Sequence, residues 1–542
     1  MTRGRKRSAE LLMIVAAASL FLVASVPVSA QTFGEAYSYS MMFDRDGFTT
    51  VDILYNSGVV GSGVSWVAAP KNFTETNLTI LEGTIISMGR ATYRTSGDAR
   101  AHPFYDNLTF SYLSESEPFS MRISYNMTYG AMIVEPNGFF YSPQIGVPSS
   151  AKVEVNLTLP DGVEVLSDAQ PPPTRVYEIG SRLTLIFNPS SESRIAVTFR
   201  VPWAKQTSHI RQGIVEADVP SRYLDLGTRM VALYENAVPF MNNFFNQTID
   251  RVSMKFFIPL SLPQLGIGGY TPIDPSSFQT GTIFLNLFYF RALPGTMETI
   301  AIHELTHQYE ARVGISSSLL WVHEGLANYV AVQMASQLGY DATSTDEELD
   351  AAARELNENY GMVQYWGSGA AVASLFEYYA ASYEVFKSLG QQYGNLSLYS
   401  RFFQGLRELK DGLRSSNVAV YQLSLAAGTD LVPQFSKWGF ELVDLSGISA
   451  RIAKLRAEAQ WYGPLLPFRE QALEHLGLAE QSMYTEPETA MGHITIAAFY
   501  IETVPMIIAG IVLFVILIGV VVVLVSRRIR RKPVTFDHPS VP

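Results

Sequence analysis

The residues best suited to chemistry are His303, Glu304 and His307, in the run His-Glu-Leu-Thr-His. On a helix, residues four apart lie on one face, so both imidazoles can bind one metal ion. Glu304 projects beside that metal, where its carboxylate can take a proton from a bound water. Glu324 follows in the next predicted helix as a third ligand. Two histidines and one glutamate leave a fourth zinc position open, as a hydrolytic zinc site requires.

Several neighbouring residues are candidates for supporting roles. His323 is the alternative third ligand, although on a helix its side chain points about 100° away from that of Glu324. Asn328 lies one turn after Glu324, on the same face, and could hold the second ring nitrogen of a ligand histidine. Tyr365 is the predicted donor to a developing oxyanion. The His/His/Glu set indicates one Zn²⁺ ion, but it also admits other divalent metals.

The elements that must position these residues can be read from the local pattern. Residues 252–258 and 282–288 are predicted strands, and Pro294-Gly295 breaks the chain before Thr296, the predicted N-cap. The first helix then runs through the two histidines to Gly314, and a second helix covers residues 319–338. Further helices are predicted after residue 345, at 347–360, 369–378, 399–409 and 418–427.

The run from Trp321 to Tyr329, together with residues 303–307, resembles the gluzincin metallopeptidases. It is most similar to the membrane alanyl aminopeptidase group and its peptidase MA-like relatives. The resemblance implies that Glu324 is the third zinc ligand and Glu304 the general base. It also implies a thermolysin-like α+β catalytic domain behind a β-sandwich-like N-terminal domain, and a peptide or protein substrate.

The resemblance extends less firmly to three other features. In the family, a catalytic tyrosine precedes a Gly-Ala pair; the run from Tyr365 to Ala370 is similar but one residue longer, and Tyr360 is the alternative. The strand 282–288 would correspond to the sheet edge that pairs with substrate. A Gly-x-Met-Glu-Asn motif binds the free amine in aminopeptidases. The nearest counterpart here, residues 266–271, contains no acid, and Asp274 is the closest carboxylate. The cleavage mode is therefore left open.

Composition restricts the class of protein. A chain of 542 residues is too long for a single hydrophobic core, so several domains are expected. Its content of 47% apolar and 12% aromatic residues excludes a largely disordered chain. A net charge of −11 argues against nucleic-acid binding. Because there are no cysteines, His and carboxylate side chains must supply any metal site.

Two apolar segments predict the location. Residues 1–30 have a basic start, an apolar stretch and a small-residue end, which predicts a signal peptide; an N-terminal anchor is the alternative. Residues 504–525 form a charge-free apolar run long enough to cross a bilayer. The basic tail, 526–542, is predicted to be cytoplasmic, so the N-terminal ectodomain faces outward from a single-pass cell-membrane anchor. Seven glycosylation sequons lie in that ectodomain, beginning at Asn72, Asn77, Asn107, Asn126, Asn156, Asn246 and Asn395.

The predicted organisation is multidomain. A β-rich domain at 31–205 precedes a zinc-binding core at 206–345, its helical continuation at 346–470, a stalk at 471–503 and the membrane helix. The function predicted is that of an outward-facing zinc metallopeptidase. A noncatalytic surface binding or adhesion protein on the same scaffold is the alternative, and a structural zinc site is a third possibility.

Overall fold

The computed structural model describes residues 34–71, 76–95, 101–166, 169–368, 373–409 and 412–530. The predicted signal peptide and most of the basic tail lie outside these ranges. Within them, a part built from mixed sheets precedes a helical part, and the last helix is long and apolar.

The first part is built from sixteen strands among the described residues. They are β1 Ala36–Phe43, β2 Thr49–Asn56, β3 Gly61–Pro70, β4 Asn77–Glu82, β5 Thr84–Thr92, β6 Tyr105–Ser114, β7 Ser120–Met127, β8 Ala131–Val134, β9 Asn137–Tyr141, β10 Ile145–Gly146, β11 Lys152–Thr158, β12 Glu164–Val165, β13 Arg175–Ile179, β14 Arg182–Phe187, β15 Glu192–Ser193 and β16 Ala196–Arg200. A seven-stranded sheet has the order β13-β14-β11-β1-β2-β7-β4, and a three-stranded sheet has the order β3-β6-β5. A four-stranded sheet, β12-β16-β9-β8, and the pair β10-β15 complete this part.

Alternating apolar residues explain how these sheets pack. In β1, Tyr37, Tyr39, Met41 and Phe43 are buried, whereas the residues between them are at least partly exposed. Successive side chains of a strand point to opposite faces, so this pattern gives each sheet one buried face. The buried residues of the seven-, three- and four-stranded sheets form one shared core. This arrangement is the layered β-structure that the alternation predicts.

A separate five-stranded sheet supports the candidate site. Its strands are β17 Thr207–Gln212, β18 Val215–Pro220, β19 Val252–Phe257, β20 Gly269–Tyr270 and β21 Ile283–Asn286, in the order β17-β18-β19-β21-β20. β18, β19 and β21 run parallel, while β20 pairs antiparallel with β21. The resemblance to the gluzincins predicted that the strand at 282–288 would form the substrate-facing edge. β21 is instead an interior strand, and β20 forms the edge.

Twelve α-helices lie among the described residues. They are α1 Leu224–Phe245, α2 Thr296–Arg312, α3 Leu320–Gln337, α4 Thr343–Glu355, α5 Leu375–Tyr393, α6 Leu396–Leu406, α7 Ser416–Ala427, α8 Val432–Lys437, α9 Leu445–Tyr462, α10 Arg469–Ser482, α11 Pro487–Ala498 and α12 Val504–Arg530. One core joins the five-stranded sheet to α1–α11. α2 and α3, which carry the motif residues, are almost wholly buried in it.

Two details differ from the sequence-based expectations. Gly295, in the left-handed region with φ of 87°, is the N-cap of α2, and Thr296 is the first helical residue. A glycine fits because only it adopts that conformation without strain. Residues 471–503 form α10, α11 and a π-helical segment rather than a stalk. Their small and apolar residues, such as Ala472 and Leu476, are buried in the core.

Candidate metal centre

Three side-chain atoms from α2 and α3 converge on one point. The Nε2 atoms of His303 and His307, one turn apart on α2, lie 3.1 Å from each other. Glu324 Oε2, from α3, lies 3.2 Å from His303 Nε2 and 3.8 Å from His307 Nε2. α2 and α3 pack against each other, which brings Glu324, near the start of α3, to the two histidines of α2. The three predicted ligands are therefore brought together.

The spacing of these atoms fits a metal ion. Four ligands placed tetrahedrally around zinc at about 2.0–2.1 Å lie roughly 3.3 Å from one another. The observed 3.1 and 3.2 Å match that spacing, and the 3.8 Å separation needs only a small shift. The side chain of His303 is 14% exposed and that of Glu324 is 16% exposed. A fourth ligand and a substrate can therefore approach from solvent.

Charge in this cluster favours a neutral His307. Burial, reinforced by the nearby imidazoles of His323 and His303, holds the pKa of His307 well below its usual value. Burial also opposes the charged form of His303, but the hydrogen bond and charge of Glu324 raise the pKa of His303 to about 9. Burial acts to raise the pKa of Glu324, yet its pairing with His303 leaves that pKa below the usual value. A metal ion would replace the proton that His303 and Glu324 share.

Glu310 supports the metal cluster from behind, a role that was not predicted from the sequence. Its Oε2 lies 2.8 Å from His307 Nδ1 and 2.7 Å from His323 Nδ1, and its side chain is fully buried. Because Nδ1 of His307 donates to this carboxylate, Nε2 keeps a lone pair for the metal. The signal was present in the sequence. Glu310 lies one turn after His307 on the same helical face, which extends the motif to His-Glu-x-x-His-x-x-Glu.

His323 belongs to this supporting layer rather than to the ligand set. Its ring stacks on that of His307, with centroids 4.0 Å apart, and its Nδ1 faces Glu310. His307, Glu310 and His323 form a second group of close ligand atoms, but all three residues are buried. That group offers no open position for a substrate. The open group of His303, His307 and Glu324 is therefore the better candidate for a catalytic metal.

The carboxylate of Glu304 lies against the edge strand β20. The Thr271 hydroxyl, just after β20, donates to Glu304 Oε2 and to the Glu304 carbonyl oxygen, both at 3.0 Å. A Cβ on Gly269 would lie 2.7 Å from Glu304 Cγ and 2.9 Å from Oε1, so glycine is required there. Burial raises the pKa of Glu304 to about 7, against the opposing charge of His303. The carboxylate is thereby poised to exchange a proton near neutral pH.

The tyrosine beside the cluster is Tyr379, on α5, and not either predicted tyrosine. It hydrogen-bonds Glu324, and burial together with the charges of Glu324 and Glu304 raises its pKa well above the usual value. Tyr365 is 43% exposed and hydrogen-bonds Glu441, which raises the pKa of Tyr365. Tyr360 is buried against Trp438. Part of the Tyr365–Ala370 run, residues 369 and 370, lies outside the described residues.

Two further candidates occupy other positions. Asn328 is half-buried on α3, and the oxygen beside the second nitrogen of His307 comes from Glu310 instead. Asp274 accepts hydrogen bonds from the backbone N–H groups of Ser276 and Ser277, which lower the pKa of Asp274. The Asp274 carboxylate is thus engaged by its own turn.

Comparison with known proteins adds little to this geometry. No protein-family model matches the chain, and no curated protein matches it. Among solved structures, it is similar to an aminopeptidase N family protein from Idiomarina loihiensis, at 13% sequence identity and a TM-score of 0.32. That match covers 74% of this chain and 75% of the other. At this TM-score the likeness is too weak to assign a fold or a function.

Proposed function

We propose that the chain is a membrane-anchored zinc metallopeptidase whose catalytic part faces outward and hydrolyses peptide bonds of peptide or protein substrates. One observation carries this proposal. The ligand atoms of His303, His307 and Glu324 converge at metal-binding spacing. The carboxylate of Glu304 projects from the same helix, close enough for the charges of His303 and Glu324 to act on its pKa. A site that only holds metal has no use for that carboxylate.

The residues around the cluster divide the chemistry among them. A bound zinc ion supplies Lewis-acid activation of a water molecule and of the scissile carbonyl. Glu304 accepts the proton of the attacking water and passes it to the leaving amine, a role that suits its raised pKa. The Thr271 hydroxyl holds Glu304 Oε2 in place. We assign the oxyanion-donor role to Tyr379 in place of Tyr365, because its hydroxyl stays protonated beside Glu324.

The edge strand β20 is the proposed substrate platform. It pairs with β21 on one side, and its Gly269 brings the strand backbone against Glu304. An extended peptide can add to such an edge through main-chain hydrogen bonds, which would lay its backbone across the metal cluster. Residues 266–271 supply no carboxylate for a free amine, and Asp274 is engaged elsewhere. Cleavage within a peptide is therefore as compatible with this edge as removal of a terminal residue.

Membrane anchoring is proposed from the C-terminal helix. Pro487–Arg528 is the one helix in the described part of the chain that is long and apolar enough to cross a membrane. Arg527, Arg528, Arg530 and Arg531 follow its apolar stretch. Positive residues stay on the cytoplasmic side, so the metal cluster would face outward.

The test is to load the purified full-length chain with zinc, measure zinc content, and incubate it with a mixed peptide library. We expect one zinc per chain and chelator-sensitive cleavage. Mass spectrometry of the products distinguishes shortened termini from internal cuts. Zinc binding without cleavage of any peptide would refute the enzymatic proposal and favour a binding protein on this scaffold.

A further inference from the structure

The C-terminal end of α9 and the turn that joins it to α10, residues 461–468, expose large apolar side chains. Trp461 is 82% exposed, Leu465 87% and Phe468 54%. Leu466, in the same turn, is buried in the core, so the turn is held in place from within. A contiguous exposed apolar patch on a protein surface marks a contact with a partner or a membrane. We name residues 461–468 the aromatic loop.

Two ring contacts place the aromatic loop near the start of the membrane helix. His475 Nδ1, on α10, lies 3.0 Å from His493 Nδ1, on α11. The ring of Phe468, just before α10, lies 5.7 Å from that of Tyr500, just after α11. In these two contacts the residue number falls along α10 as it rises along α11, so the two helices are antiparallel. The aromatic loop therefore lies beside the C-terminal end of α11.

That end of α11 leads directly into the apolar span. α11 continues through the π-helical segment Phe499–Thr503 into α12, and Pro487–Arg528 is one helix. Tyr500 precedes Val504, the first residue of α12, by about one turn, or roughly 6 Å along the axis. The headgroup region of a bilayer is about 5–7 Å deep on each side. Tyr500 and its neighbour Phe468 thus lie at headgroup depth when α12 spans the bilayer.

The chemistry at this level suits a lipid interface. Tryptophan, tyrosine and other aromatic side chains favour the boundary between headgroups and acyl chains. Glu502 is the last acid before the span, and both of its oxygens accept hydrogen bonds from Arg451 Nη2, at 2.8 and 2.9 Å. This pairing offsets the charge of Glu502, which would otherwise oppose entry of this surface into the headgroup layer.

We propose that the aromatic loop inserts into the outer leaflet of the membrane that α12 crosses, giving the ectodomain a second attachment to lipid. The occupant of the apolar patch is the bilayer itself. This inference rests on the membrane anchoring proposed above and is independent of the peptidase proposal. A second attachment point fixes the orientation of the ectodomain, because a single helix would let it swivel and tilt.

The absence of cysteine allows a direct test on the full-length chain. Single variants Leu465→Cys, Thr485→Cys and Val515→Cys are labelled with an environment-sensitive fluorophore and reconstituted in phosphatidylcholine nanodiscs. Leu465 is so exposed that its replacement removes no packing. Thr485, exposed in the turn beyond the far end of α10, is the matched control in water, and Val515, in the middle of α12, is the control in lipid. Quenching is measured with aqueous iodide and with nitroxide-labelled lipid.

We expect the label at Leu465 to emit at shorter wavelength than that at Thr485, to resist iodide and to be quenched by nitroxide lipid. If the label at Val515 behaves as lipid-embedded while the label at Leu465 is quenched by iodide, membrane anchoring by α12 is supported and the proposal for the aromatic loop is wrong. Protection of Leu465 from both quenchers would mean a protein contact, such as a second copy, and would also overturn it. If iodide quenches Val515, the anchoring proposal fails together with this one.

Discussion

Glu310 offers a sharp test of how the metal cluster is held. One oxygen of its buried carboxylate lies within 2.8 Å of Nδ1 on both His307 and His323. Glu310→Gln keeps the size of the side chain but removes the negative charge that fixes these two rings. The substitution leaves all three proposed ligands in place, so a change in metal binding would come from this supporting layer.

The expected loss of zinc affinity follows from the hydrogen bond between Glu310 and His307. Removing the partner that orients a metal-binding histidine costs about 10- to 100-fold in metal affinity. That loss corresponds to about 1.4–2.8 kcal/mol of binding free energy. Burial raises the pKa of Glu310, and the charge of His323 opposes that shift. In Glu310→Gln, His323 would lose the carboxylate 2.7 Å from its Nδ1, so we also expect a lower melting temperature for the metal-free variant.

The assay is zinc competition against a chromophoric chelator, using the full-length chain in detergent at pH 8. Melting temperatures of the metal-free proteins are measured in parallel. Glu298→Gln is the matched control, because Glu298 is also a buried glutamate on α2 but pairs with Arg229 at 3.2 Å. We expect Glu298→Gln to lower stability while leaving the zinc Kd unchanged. A wild-type zinc Kd in Glu310→Gln would refute the orienting role and reduce Glu310 to a packing residue.

Three further predictions concern the same site. Gly269→Ala should lower kcat/KM at least tenfold with zinc still bound, because its Cβ would press on the Glu304 side chain; wild-type kinetics would contradict the contact. Thr271→Val removes a hydrogen-bond donor to the ionised form of Glu304, which raises the pKa of Glu304, so the acid limb of the pH–rate profile should move to higher pH. The control Thr280→Val loses a hydrogen bond to Gln308 instead and should leave the acid limb in place. Below pH 9, His303 carries a proton that zinc must displace, so apparent zinc affinity should rise with pH up to about 9. Calorimetry in buffers of different ionisation enthalpy measures that release, and a pH-independent Kd would exclude it.

Local pattern identified the elements around the site well. The glycine before Thr296 and the spacing of the two histidines gave the helix that the structure has at Thr296–Arg312. The second helix was predicted within one residue at each end. Helical periodicity is a short-range property, so His303 and His307 could be placed on one face, with Glu304 beside them, without knowledge of the fold.

What the sequence could not supply was contact between distant segments. The role of Gly269 depends on the edge strand reaching Glu304, and the role of Tyr379 depends on α5 packing against α3. The stalk prediction failed because α10 and α11 contain few large apolar residues. Small residues such as Ala472 and Ala479 nevertheless let those helices pack closely. Tyr365 was chosen from a short motif, and such a motif does not determine where its side chain points.

The most direct measurement is the rate of peptide hydrolysis by wild type and by Glu304→Gln at equal, measured zinc occupancy. Glutamine keeps the shape of Glu304 and its contact with Thr271 but cannot accept the proton of water. We expect both proteins to bind one zinc and the variant to lose about 10²–10⁴-fold in kcat. Equal rates in the two proteins, or no hydrolysis by zinc-loaded wild type, would contradict the assignment of this cluster as a peptidase centre.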